Sequence, residues 1–273
     1  MNRFLDLIRR HGALNFFKIV LARLAPFKKY RYLRAIKFGK VYLGEYLSAR
    51  QGLWARHYFM DLVVSLLPKD EAPQILEVGC WAGGSTLVFA NALKNYHKKG
   101  HVTCVDIWEV FYDNNVKQPF NLNSSHMKSV QSGKIFELFK HNIKAGGIDS
   151  MVDYHKTPFE KFETDKKFDL IYLDGDHRYK AVIHDLIKAD GLLKEGGFLC
   201  GDDLEKQYHD VDQKFCDDNL TNDFVYEPNI ARTHIHPGVT KAVHEFFGVP
   251  VSEYEGFFVT VKTGPSKYKS VTL

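Results

Sequence analysis

After residue 52 the chain alternates short apolar runs with longer segments of helical periodicity. Residues 53–67 read as a helix ended by Pro68. Gln74–Val78 reads as a short apolar strand, followed by a glycine turn and a helix over 85–94. His101–Asp106 is the next strand, and Lys134–Ala145 is a helix stopped by Gly146 and Gly147. Residues 152–155 and Phe168–Leu173 read as strands, 179–193 as a helix, and 198–201 as a strand after the Gly196-Gly197 turn. Gly256 opens a last strand over 257–262, and the tail from Thr263, rich in Gly, Pro, Ser and Lys, is expected to fray. Strands alternating with helices of this length predict the α/β class, a Rossmann-like, doubly wound, mostly parallel sheet covered on both faces. The expected parts are a helical extension over 1–50, a main domain over 51–262 and a flexible tail over 263–273.

The extension differs from the rest in charge. Residues 1–40 hold eleven Lys and Arg against the single acid Asp6, a net of +10 in a chain whose total is +4. Between the charges, apolar residues from Phe4 to Leu24 are spaced as on one side of a helix, which Pro26 should end or kink. Three readings stand open: a helix packed on the main domain with its basic residues solvated, a basic amphipathic helix in peripheral contact with an anionic membrane surface, and a nucleic-acid-binding stretch. No nucleic-acid motif accompanies the third, so no nucleic acid is expected as a partner. A transit peptide is disfavoured because the first serine is Ser48.

With 273 residues, 45% hydrophobic and 26% charged, the chain has the composition of an ordinary globular protein. Its longest apolar runs are a few residues, far short of the roughly 20 that a bilayer span needs. No secretory apolar core is present, since Lys18 and Arg23 interrupt the best stretch. The four cysteines (Cys80, Cys104, Cys200, Cys216) are scattered with no C-x-x-C pair, which suits reduced thiols. A cytoplasmic location is expected, peripheral to the inner face of a membrane if the extension binds lipid.

Candidate chemistry begins at the end of the first strand, Glu77-Val78-Gly79-Cys80-Trp81-Ala82-Gly83-Gly84-Ser85-Thr86. Glycines there let backbone approach a ligand, and Ser85 can cap the following helix. A dinucleotide fingerprint would need glycine where Trp81 stands, and a phosphate-cradling loop would need G-K-[ST]; neither is present. The second strand ends in Val105-Asp106-Ile107-Trp108, where a carboxylate can take both hydroxyls of a ribose. E-V-G-C-W-A-G-G-S-T followed by C-V-D-I-W resembles motifs one and two of the class I S-adenosylmethionine-dependent methyltransferases. The L-K-E-G-G-F-L segment resembles that family's turn before its fifth strand, with Glu195 in place of the usual Pro. This resemblance implies the class I methyltransferase sheet and S-adenosyl-L-methionine as cofactor. Its site would comprise Glu77, Gly79, Cys80, Gly83, Ser85, Asp106, Ile107 and Trp108, with Glu77 supporting the loop and Asp106 holding the ribose.

Two acidic clusters follow, Asp174-Gly175-Asp176-His177 at the fourth strand end and Asp202-Asp203 at the fifth. Neighbouring strand ends would bring these carboxylates together, and their repulsion asks for a cation, with oxygen ligands suited to Mg²⁺ or Mn²⁺. Asp203 could instead cap a helix starting at Leu204, and Asp176 could be solvated. D-G-D-H-R-Y with F-L-C-G-D-D resembles the divalent-metal-dependent O-methyltransferases, particularly the branch acting on sugar hydroxyls of macrolides and aminocoumarins. That resemblance implies Asp174, Asp202 and Asp203 as metal ligands, His177 as general base, and Asp176 as an outer-sphere partner. The acceptor would be a small-molecule or glycan hydroxyl, and a homo-oligomer stays open. Alternatives are a cephalosporin-hydroxylase-like enzyme on the same fold and a non-catalytic membrane-surface module. Thr233-His234-Ile235-His236-Pro237-Gly238 reads as a surface turn or an acceptor loop, and 109–130 as a lid.

Overall fold

The computed structural model describes residues 25–48, 51, 54–69, 72–97, 99–109, 130–227 and 234–273. Strand β1 (Gln74–Val78) is buried at every position but its first, because a strand covered on both faces has no solvent side on which to alternate. It pairs in parallel with β2 (His101–Asp106) on one side and β4 (Phe168–Leu173) on the other. β3 (Val152–Lys156) extends the sheet beyond β2, and β5 (Leu193–Leu204) extends it beyond β4. β9 (Gly256–Gly264) then runs antiparallel to β5, and β10 (Lys267–Ser270) closes that edge. The order is β10-β9-β5-β4-β1-β2-β3, with β8 (Ser252–Tyr254) also on β9. A two-stranded ladder, β6 (Val225–Tyr226) with β7 (His234–Ile235), stands apart.

Helices cover both faces. α2 (Trp54–Ser65), α3 (Gly84–Tyr96) and α4 (Lys134–Ala145) pack one core through Val63, Phe89 and Phe139. α5 (Tyr179–Leu192) and α7 (Pro237–Phe247) pack the other through Leu186, Ala189 and Val243. α6 (Gln213–Asp217) is a short helix in between, and α1 (Ala25–Lys37) is the described part of the basic extension. Strand order reverses at β1, so the loops after β1, β2 and β4 part there and open a crevice at the carboxyl ends of the strands.

Two expectations are corrected, and one falls partly outside the described residues. Pro26 stands in the first turn of α1, where its missing N–H costs nothing; the helix it is expected to end or kink falls in residues 1–24, which lie outside the described residues. The tail does not fray: residues 263–264 complete β9 and Lys267–Ser270 return as β10, with the Tyr268 hydroxyl donating to Asp190 Oδ1 at 2.7 Å. No helix begins at Leu204. β5 runs through it, so Asp203 caps nothing.

Candidate active site

The turn after β1 is built against the loop after β4. Gly79 sits at φ +87°, and a Cβ there would lie 1.8 Å from the carbonyl oxygen of Asp174, so glycine is required to let the two loops touch. Trp81 and Trp108 also adopt positive φ, 48° and 43°. Asp106 holds both: its Oδ2 accepts from the Trp81 N–H at 2.8 Å and its Oδ1 from the Trp108 N–H at 2.6 Å. The Trp108 indole returns a hydrogen bond to the Trp81 carbonyl at 2.7 Å and lies against Phe136 and Phe139. Burial raises the Asp106 pKa, against the pull of these two N–H groups. The carboxylate assigned to a ribose therefore also locks the β1 and β2 loops together.

Glu77 is wholly buried behind the turn. It accepts from the Ser85 hydroxyl and from the Thr86 hydroxyl, the latter at 2.6 Å. Burial pushes its pKa up to about 7, opposed by those hydroxyls. Ser85 thus does not cap α3. The Gly84 N–H at its start donates to Gln51 Oε1 at 2.7 Å instead.

In front of the turn lies a cavity of about 1550 Å³. Of the residues expected at the cofactor, Gly79, Ser85, Asp106, Ile107 and Trp108 line it. Glu77, Cys80 and Gly83 do not; Cys80 is buried with its thiol on the Glu77 and Val105 carbonyls, and Gly83 packs on Phe139. These three are supports of the turn. Of the expected lid, Glu109 lines the cavity and 110–129 lie outside the described residues.

Beyond the cavity floor the acidic clusters converge. Leu173 pairs with Gly201 across β4 and β5, which aligns their ends. Successive side chains of a regular strand point to opposite faces. Here the β5–β9 register shifts between Gly201 and Leu204 and Asp203 takes φ 64°, a bulge that turns both Asp202 and Asp203 toward Asp174. Oxygens of the three carboxylates lie within 4.8 Å of one another.

His177 stands over this group. Its Nδ1 contacts Asp223 Oδ1 at 2.8 Å, while Nε2 lies 3.1 Å from Asp203 Oδ2 and 3.6 Å from Asp174 Oδ1. Burial would lower its pKa, but the Asp203, Asp174 and Asp223 carboxylates outweigh burial and raise it well above the ordinary value. The three acids around the ring favour its protonated form. Asp203 responds in the opposite sense: burial would raise its pKa, yet His177, His236 and Arg56 hold it low. Asp176 lines the cavity beside Asp174 and His177, and its carboxylate accepts from the Arg178 N–H at 3.0 Å and from the guanidinium.

Four further residues join the site. Arg56, from α2, forms an ion pair with Asp202 and approaches Asp203 Oδ1 to 3.7 Å. His236 is buried, its ring 4.8 Å from that of His177 and its Nδ1 2.7 Å from Glu205 Oε1. So His236 belongs to the site and is no surface turn. Gly238 permits this approach, since a Cβ there would meet the His177 carbonyl at 2.2 Å. His236 and Gly238 carried a signal in the His-x-His-Pro-Gly stretch; Asp223, Glu205 and Arg56 stood in segments with none.

Residues 76–204 match the family model described as a methyltransferase domain. Two solved structures are similar over most of their length. The cofactor-bound protein Rv0187 from MTB is 14% identical, covers 93% of this chain and 97% of its own, and gives a TM-score of 0.52. An O-methyltransferase from Bacillus cereus in complex with SAH is 18% identical, covers 90% and 96%, and gives 0.51. No curated protein matches the sequence. The matched span carries the glycine turn, the strand-end Asp106 and the β4 and β5 acids, so this part of the chain is similar to a methyltransferase domain, and its sheet has the Rossmann-like fold of the class I methyltransferases.

Proposed function

We propose that the protein is an S-adenosylmethionine-dependent methyltransferase acting on the hydroxyl oxygen of a sugar or glycosylated metabolite, with a divalent cation held by Asp174, Asp202 and Asp203. One observation carries the reading: three carboxylates gathered beside His177 at the cofactor cavity, with the buried Asp202 Oδ1 lacking a hydrogen-bond partner. A hard, oxygen-seeking ion fits that donor set, and Mg²⁺ or Mn²⁺ would leave positions open for acceptor oxygens. When bound, such an ion supplies Lewis-acid stabilisation of a developing alkoxide and neutralises the acids. Support for S-adenosylmethionine at the glycine turn comes from the cavity lining by Gly79, Asp106 and Trp108.

The chain's own residues account for the remaining steps. Asp223 fixes the His177 ring through Nδ1 and presents Nε2 to the acid group, where an acceptor hydroxyl would lie. Relieved of the negative charge around it, His177 becomes neutral and takes the hydroxyl proton on Nε2. The acceptor oxygen forms its bond to the methyl carbon as the carbon–sulfur bond breaks, and the sulfonium leaves as a neutral thioether. The β1–β4 loop contact at Gly79 fixes the distance between the methyl donor and the acid group.

A second reading is favoured by Arg56, whose guanidinium already faces Asp202 and Asp203. In it the acids form an internal ion-pair cluster and transfer needs no metal. Methyl incorporation from labelled S-adenosylmethionine into glycosylated acceptors, with EDTA and with Mg²⁺ restored, separates the readings. Loss with EDTA and recovery with Mg²⁺ is expected; full activity in EDTA overturns the metal, and oxidation without methylation overturns the transfer.

A further inference from the structure

The exposed face of α1 has no role in the cavity, and its chemistry is unusual for a solvated helix. Only Lys28, Tyr32 and Ala35 of residues 26–37 face inward. Tyr32 packs on Tyr42 and Tyr46 with ring centres 5.4 and 5.1 Å apart, and Lys28 pairs with Glu45. This seat fixes the helix to the domain and leaves Phe27, Tyr30, Leu33 and Ile36 outward, 41%, 57%, 52% and 36% exposed. They recur every three residues, so the apolar stripe winds obliquely across the outer half of the helix, Phe27 and Ile36 being about 180° apart. Phe38, at the helix end, is 62% exposed and continues it. Flanking the stripe are Lys29, Arg31, Arg34, Lys37 and Lys40, none of which forms an ion pair among the described residues, and residues 25–40 contain no acid.

We propose that this face of α1 docks the enzyme in the plane of an anionic lipid surface. The charge favours that occupant over a second copy, since two such faces brought together would oppose cation to cation. The apolar stripe favours it over a nucleic-acid backbone, which offers phosphates to the lysines and arginines and nothing to bury Phe27, Tyr30 and Leu33. An interfacial helix satisfies both halves: aromatic and aliphatic side chains enter the headgroup boundary while basic side chains meet anionic headgroups. At 13 residues, α1 is about 20 Å long and lies on a bilayer, and no helix among the described residues is long and apolar enough to cross one.

Flotation of the full chain with vesicles of phosphatidylcholine alone, and with phosphatidylglycerol added at a quarter of the lipid, tests the proposal. Binding is expected only to the anionic vesicles at 0.1 M salt, weakening as salt rises. K29Q/R34Q/K37Q should reduce partitioning about 100-fold, at roughly fivefold per charge. F27S/Y30S/L33S, which leaves every charge in place, should reduce it at least about tenfold through lost apolar burial. All six side chains are exposed, so melting temperature and S-adenosylhomocysteine binding should match wild type and certify folding. Equal binding to both vesicle types, no binding to either, or variants that float like wild type would overturn the proposal. So would an oligomer that F27S/Y30S/L33S dissociates, or binding confined to an RNA oligonucleotide.

Discussion

Replacing Gly79 by alanine tests whether the contact between the β1 and β4 loops organises the site. The new Cβ would lie 1.8 Å from the Asp174 oxygen and 2.4 Å from its carbonyl carbon. Reaching ordinary contact requires the loops to part by roughly 1.5 Å, and both partners are backbone rather than a side chain that could rotate aside. Left-handed φ in a non-glycine residue costs about 1–2 kcal/mol. Overpacking adds about 1–3 kcal/mol. The sum, about 2–5 kcal/mol, corresponds to a melting temperature lower by roughly 5–15 °C in a chain of this size. Gly147→Ala isolates the first contribution, because Gly147 has φ +62° and nothing within 4 Å of a built Cβ. Scanning calorimetry and S-adenosylhomocysteine titration should give a modest melting shift and unchanged affinity for Gly147→Ala. For Gly79→Ala they should give the larger shift and an affinity loss of at least about tenfold, since a misplacement near 1 Å can cost about 100-fold at a site. Equal melting shifts for the two variants would refute the reasoning, for then the contact contributes nothing beyond backbone conformation.

Three other outcomes follow from the same geometry. Glu77, raised to about 7 by burial, keeps its proton in the fold between about pH 4.5 and 7 while the unfolded chain has lost its own, so folding stability falls as pH rises through that window, by up to about 3 kcal/mol. Urea midpoints at pH 5 and 7.5 should show this fall in wild type and a smaller one in Glu77→Gln; parallel curves would count against it. Asp223→Asn should lower kcat roughly 10–100-fold with the KM for S-adenosylmethionine unchanged, because the lost contact orients His177 and not the cofactor. Arg56→Gln removes the guanidinium facing Asp202 and Asp203, and calorimetry should find Mn²⁺ bound at least about tenfold tighter; unchanged affinity would mean that Arg56 does not compete for the acids.

Several elements were legible because their signals are local. β1 and β2 announce themselves as apolar runs bounded by turn residues, and their bounds agree with the sequence reading. Asp174, Asp202 and Asp203 were legible as strand-end acids, since a parallel sheet places consecutive strand ends on one edge. Other roles had no local mark. Arg56 reaches the acids from a helix that enters nearly 150 residues earlier in the chain, and Asp223 reaches His177 from an irregular stretch before β6. Each is a long side chain or a loop position whose partner is set by packing, and neither periodicity nor composition reports packing.

Glycine positions, strand ends and the run of basic residues before Gly52 were enough to determine the class of fold, the nucleoside-type turn and the uneven charge, because backbone freedom and charge are properties of residues one at a time. Tertiary structure decided the rest. It put Gly79 against Asp174, turned Asp203 through a bulge, and surrounded His177 with acids that raise its pKa. It also drew His236 into the site, folded the tail into β10, and left the apolar stripe of α1 facing outward. Those are relations between distant residues, and the free energy that selects them exists only once the chain has packed.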